Sequence, residues 1–190
     1  MEMNNLYKPQ SRQDLREWLT ENAASANDCW VVIDREQSNL TYLDIVEEAL
    51  CFGWIDSTKK KLSATEIAQR LSPRTKKSQW TELNKERARR LIYLGSMTDL
   101  GRATLPDLSS ESFVIDSRVL QALEADPEIQ QNFSTFPALY QRIKIDNIQR
   151  YSADTELFDR RLQKLLTNTK ANKQFGAWDD NGRLSSYKSK

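Results

Sequence analysis

The stretch from Leu50 to Asn84 constrains this chain more than any other. It runs Leu50-Cys51-Phe52-Gly53-Trp54-Ile55-Asp56-Ser57, then Gln69-Arg70-Leu71-Ser72-Pro73-Arg74, then Ser78-Gln79-Trp80-Thr81-Glu82-Leu83-Asn84. Gly53 suits the stop of a helix. Pro73 holds Ser72 extended. Between them Trp54 to Ser57 reads as a short strand, Lys59-Lys60-Lys61 as a turn, and Ile67 to Leu71 as the returning strand. Helix propensity alone would also allow Ala64 to Arg70 to be helical, but the proline favours the hairpin. Polar groups gathered this densely beside tryptophans are costly unless they pair or bind something.

The flanking signals are local and readable. Ser11 opens a helix whose Leu15, Trp18 and Leu19 form an apolar stripe. Asp28 to Asp34 reads as a strand, because Trp30-Val31-Val32-Ile33 is aromatic and β-branched. Gln37-Ser38-Asn39 is a loop. Thr41 with Asp44 forms a capping-box variant, ahead of a helix burying Tyr42, Ile45, Val46, Ala49 and Leu50. Ser78 or Thr81 caps a long helix through Leu94, carrying Glu86 and Arg90 as an i, i+4 pair and stopped by Gly95. Thr98 starts a short helix. After a linker at Pro106–Ser112, three helical segments follow: 117–125, 127–133 and 137–151, with Pro127 and Pro137 at first helical positions. A last helix spans 155–170. These readings give an α+β fold: a small antiparallel sheet packed by helices in residues 1–108, an all-α helical module at 113–172, and a polar tail at 173–190 expected to fray.

Composition removes several chemistries. The 190 residues include no histidine, which excludes Ser-His and Cys-His catalysis and the commonest zinc ligand. Cys29 and Cys51 sit in apolar surroundings and read as buried free thiols. No cofactor or metal is implied. The N-terminus lacks a signal-peptide pattern, and no apolar run approaches a membrane span, so a cytoplasmic protein without membrane insertion is expected. Net charge is +1, yet Lys59 to Arg90 holds eleven Lys/Arg against three Asp/Glu. That basic middle raises a single-strand nucleic-acid reading through Lys59, Lys60, Lys61, Lys76, Lys77, Lys85 and Arg89. The acidic remainder and near-neutral total weigh against it.

The motifs resemble the YdeI/OmpD-associated family, the bacteriocin-protection proteins. The matched phrases are Ala49 to Ser57, Gln69 to Arg74 and Ser78 to Asn84, with Arg87, Arg89-Arg90, Leu91-Ile92 and Gly95 to Thr98. The resemblance covers Ser11 to Leu105. Pro137, Tyr140 and Arg160-Arg161 are similar to the family's helical module. It implies a non-enzymatic binding protein in bacteriocin or envelope-stress resistance, with an unknown protein partner. The residues by themselves leave open an enzyme or sensor for a small anionic ligand, with Asp56 as base or orienting carboxylate and Arg70 and Arg74 as anion clamps. The candidate ligand residues are Trp54, Asp56, Arg70, Arg74, Ser78, Trp80 and Asn84. On the residues alone, each has two readings. The tryptophans are core or pocket wall. Asp56 is an ion-pair partner of Arg70 or Arg74, or lines an anion cleft with them. Ser78 and Thr81 are plain caps or part of an anion site at a helix N-terminus.

Overall fold

The computed structural model describes residue 3, residues 5–34, residue 36 and residues 39–187. Gln37 and Ser38 of the expected loop lie outside the described residues. The fold is α+β with a helical C-terminal part. The chain divides into one unit of residues 1–79 with 87–106, and a second of residues 80–86 with 107–190.

In the first unit, strands β1 (Leu6–Tyr7), β2 (Cys29–Asp34), β3 (Trp54–Lys61) and β4 (Glu66–Pro73) form one sheet in the order β1-β2-β4-β3. The sheet is mixed, not purely antiparallel: β1, which has no periodic signal of its own, pairs parallel with β2. The hairpin β3–β4 forms as expected, but the lysine run is not its turn. Lys59, Lys60 and Lys61 pair with Gln69, Ala68 and Ile67, and the register shifts between Asp56 and Lys59. The chain reverses after them, where the Ser63 hydroxyl accepts from the backbone N–H groups of Thr65 and Glu66. Three lysines on an edge strand discourage pairing with another chain.

Helix α1 (Arg12–Asn22) is capped by Ser11, and α2 (Tyr42–Cys51) by the reciprocal Thr41–Asp44 box. Gly53 turns α2 into β3 at φ +73°, with the Leu100 carbonyl 2.8 Å from where a Cβ would stand. Helix α3 (Glu82–Tyr93) is capped by Thr81, whose hydroxyl accepts from the Asn84 N–H at 2.9 Å. It ends at Gly95 (φ 69°), where Gly95 N–H reaches Ile92 and Ser96 N–H reaches Leu91, a Schellman closure. A short α4 (Asp99–Arg102) follows its Thr98 cap. Strand register places Cys29, Val31 and Ile33 on one sheet face with Leu71 and Gln69. Leu15 and Leu19 of α1 and Ile45 of α2 are fully buried.

The second unit contains α5 (Ser117–Glu124), α6 (Pro127–Thr135), α7 (Ala138–Gln149) and α8 (Thr155–Lys170). Val119, Ile129, Phe133, Tyr140, Phe158 and Leu165 form its core. Pro137 stands at the cap of α7, one position before the first helical residue Ala138, and not at the first helical position expected of it. The described part of the C-terminal segment, through Tyr187, is packed where fraying was expected. Phe175 and Trp178 pack on the core, and Leu184 and Tyr187 are buried. Its composition is polar, but these few large apolar side chains bury enough surface to hold it down.

Candidate functional site

The expected cluster forms only in part. Asp56 pairs in register with Leu71, so Arg70, one residue away, projects from the opposite face of the sheet. Arg70 instead pairs with Asp28, its Nε and Nη2 both 2.9 Å from Oδ2. The Asp56–Arg70 pair is thereby replaced. Asp56 accepts from the Tyr42 hydroxyl at 2.7 Å, and Tyr42 is exposed, contrary to its expected burial. Arg74 does lie within electrostatic reach of Asp56. Burial pushes its guanidinium down to about 10, and the Asp56 charge works the other way. Its Nη1 donates to the Gln79 carbonyl at 3.3 Å.

Trp54 is core. It is 1 % exposed, its Nε1 donates to the Ala23 carbonyl at 3.2 Å, and its ring meets Trp18 edge-on. Ser78 closes a turn by accepting from Thr75 N–H, and does not cap the helix. Trp80 and Asn84 are half-buried and belong to the second unit. Among the basic residues, Lys60 extends over the buried Trp30 ring, and Lys85 pairs with Glu82 at 2.8 Å. Lys59, Lys61, Lys76 and Lys77 are exposed, while Arg89 is half-buried on α3.

The densest polar arrangement of the first unit lies elsewhere. Glu47, with no exposed surface, accepts from Arg12 Nη1 and Arg90 Nη1, each at 2.7 Å. Glu48 accepts from Arg12 Nε at 2.6 Å and Arg16 Nη1 at 2.8 Å. Arg12 also reaches Asp44 at 3.2 Å, and Arg16 donates to the Ser96 carbonyl. Three arginines thus match three carboxylates, tying α1, α2 and the end of α3 together. A cavity of about 530 Å³ opens beside them, lined by Arg12, Gln13, Arg16, Glu48, Arg90, Leu94, Gly95 and Ser96. The available sequence signal was an adjacent Glu47-Glu48 pair inside an apolar helix, with Arg12 and Arg16 four residues apart on another.

Neither thiol is poised to react. Burial pushes Cys29 up to about 12, with the Asp28 charge adding. Burial and Glu48 push Cys51 up to about 11, against Arg16 and Arg12. Among the described residues, no group of three or more Cys, Asp or Glu could hold a metal ion. No described helix is long and apolar enough to cross a membrane.

Fold and network together define the class: an α+β domain whose helices are locked on one another by paired arginines and carboxylates. Residues 7–104, just over half the chain, match the family model of the domain of unknown function DUF8412, and the chain belongs to that family. No curated protein and no solved structure matches it.

Proposed function

We propose that this protein is a non-enzymatic binding or interaction protein, acting in the cytoplasm on a protein partner or a small anionic ligand. The observation that carries this reading is the closure of Glu47 by Arg12 and Arg90. The most buried described carboxylates of the first unit, Glu47 and Glu48, are committed to arginines that hold helices together. The protonated thiols support it further, because a nucleophilic cysteine needs a depressed pKa. The resemblance to the YdeI/OmpD-associated proteins supports a setting in bacteriocin or envelope-stress resistance.

The test is a broad small-metabolite activity screen on the purified full chain and on Asp56→Asn. The expected result is no turnover by either. Turnover by the native chain that disappears in Asp56→Asn would overturn the reading.

A further inference from the structure

The second unit holds a cavity of about 380 Å³ whose chemistry differs from everything in the first. Its walls come from Lys144, Asn147 and Ile148 of α7, from Arg161, Lys164 and Leu165 of α8, and from Phe175. Three cations face this space and no carboxylate lines it. In the first unit, by contrast, Arg12 and Arg90 are both answered by Glu47.

Lys144 is the centre of the imbalance. Its residue is 7 % exposed. Among the described residues it makes no hydrogen bond or ion pair. Its neighbours are ring faces: Nζ lies 4.0 Å from the Phe175 centroid and 5.3 Å from that of Tyr140. Cation–π contacts return about 0.5–2 kcal/mol, less than the several kcal/mol that desolvating an ammonium costs. Lys164 Nζ sits over the same Phe175 ring at 5.2 Å, adding like-charge repulsion. Burial and that neighbouring charge push Lys144 down to about 8. The backbone closes in on the ammonium at Gly176, where a Cβ would lie 2.9 Å from Nζ.

Arg161 is held in place beside it. Its Nη1 donates to the Asn147 carbonyl at 2.6 Å, and its guanidinium lies 4.2 Å from the Tyr151 ring centroid. A guanidinium fixed in this way loses little freedom on meeting an oxyanion.

We propose that this cavity binds a small organic phosphate, a phosphomonoester with an apolar body, with Lys144, Arg161 and Lys164 holding the phosphate and Ile148, Leu165 and Phe175 the body. A monocarboxylate would leave two of the three charges uncompensated, whereas a phosphomonoester carries close to two negative charges at neutral pH. The volume is at the small-molecule end of ligand pockets and well above that of a bare ion. The apolar part of the lining, Ile148, Leu165 and Phe175, would be left wet by inorganic phosphate. This deepens the binding reading by naming a ligand class, and rests on it only in assigning binding in place of turnover.

The experiment is calorimetric titration of the full chain with phenyl phosphate, inorganic phosphate and phenol. Phenyl phosphate is expected to bind about tenfold or more tightly than inorganic phosphate, and phenol not to bind. Lys144→Met and the exposed Lys164→Met should each weaken phenyl phosphate by about tenfold, the scale of one charge-assisted contact, while Lys76→Met leaves it unchanged. Lys164→Met keeps the test decisive if Lys144→Met fails to fold. No binding of phenyl phosphate at about 5 mM, a very weak affinity, would overturn the proposal. So would an affinity unaffected by Lys164→Met, or one equal to that of inorganic phosphate. Turnover found in the activity screen would end the non-enzymatic reading and leave this site standing. Absent phosphate binding would end this inference alone.

Discussion

Arg12 and Glu47 meet at 2.7 Å although 35 positions separate them, and the glutamate has no exposed surface. A wholly buried carboxylate is tolerable only while its guanidinium partners remain. Replacing Arg12 with Leu removes a partner from Asp44, Glu47 and Glu48 together. The expected loss is about 2–3 kcal/mol, at or below the low end of the roughly 3–5 kcal/mol for a fully buried pair, because Arg12 itself keeps some contact with water. Urea denaturation of the variant beside the native chain measures it.

Trp54 tests the distinction between core and pocket wall. Trp54→Phe keeps most of the ring and strands the Ala23 carbonyl, so a loss of about 1–2 kcal/mol is expected. For a chain of this length that corresponds to a fall of a few degrees, about 2–4 °C per kcal/mol, in Tm. Phenyl phosphate affinity, read by calorimetry, should not change.

Two glycines share a left-handed backbone and differ in their surroundings. Gly95→Ala meets nothing within 4 Å and should cost about 1–2 kcal/mol, the backbone penalty alone. Gly53→Ala brings the same penalty and adds a clash with the Leu100 carbonyl at 2.8 Å. It should cost clearly more, about 3 kcal/mol once overpacking is added. Parallel denaturation curves separate the two; equal losses would show that the α4 contact yields freely.

Stability should carry a signature of Lys144 in alkali. Its folded-state pKa of about 8 lies below the ordinary 10.5, so between these values the unfolded chain binds more protons than the folded one. Stability attributable to this residue therefore rises as pH increases through that window. Arg161 and Lys164 of α8 face it, and Tyr140 lies on its own helix. The two raised thiols act oppositely: their contribution is complete below the unfolded pKa of 9.0 and declines as pH rises toward about 11 and 12. The readout is therefore the difference between native and Lys144→Met chains at about pH 7 and pH 10, which cancels the thiols. The native chain should gain relative to the variant at the higher pH.

Those thiols give a separate expectation. Both are buried with raised pKa, so a thiol reagent at neutral pH should label Cys29 and Cys51 only as fast as the chain opens. Labelling that is complete in the folded protein before any unfolding would contradict their placement.

The sequence by itself determined what depends on a few neighbouring residues. The Thr41–Asp44 box, the Gly53 and Gly95 stops, a cap narrowed to Ser78 or Thr81, and the existence of the C-terminal helices, with ends within two residues, were legible, because each is closed by contacts within about one helical turn. Tertiary structure alone decided the pairing of charges. Arg70 takes Asp28 from 42 positions away, and Arg90 takes Glu47 from 43. Strand alternation put Asp56 and Arg70 on opposite faces despite their closeness in the hairpin. Lys144 and Arg161 share a cavity only because α7 and α8 lie side by side, and Phe175 joins them only because the polar tail folds back. Side-chain charge is written in the sequence. Which charge it meets is set by packing, because at these separations only the folded core brings the partners within bonding distance.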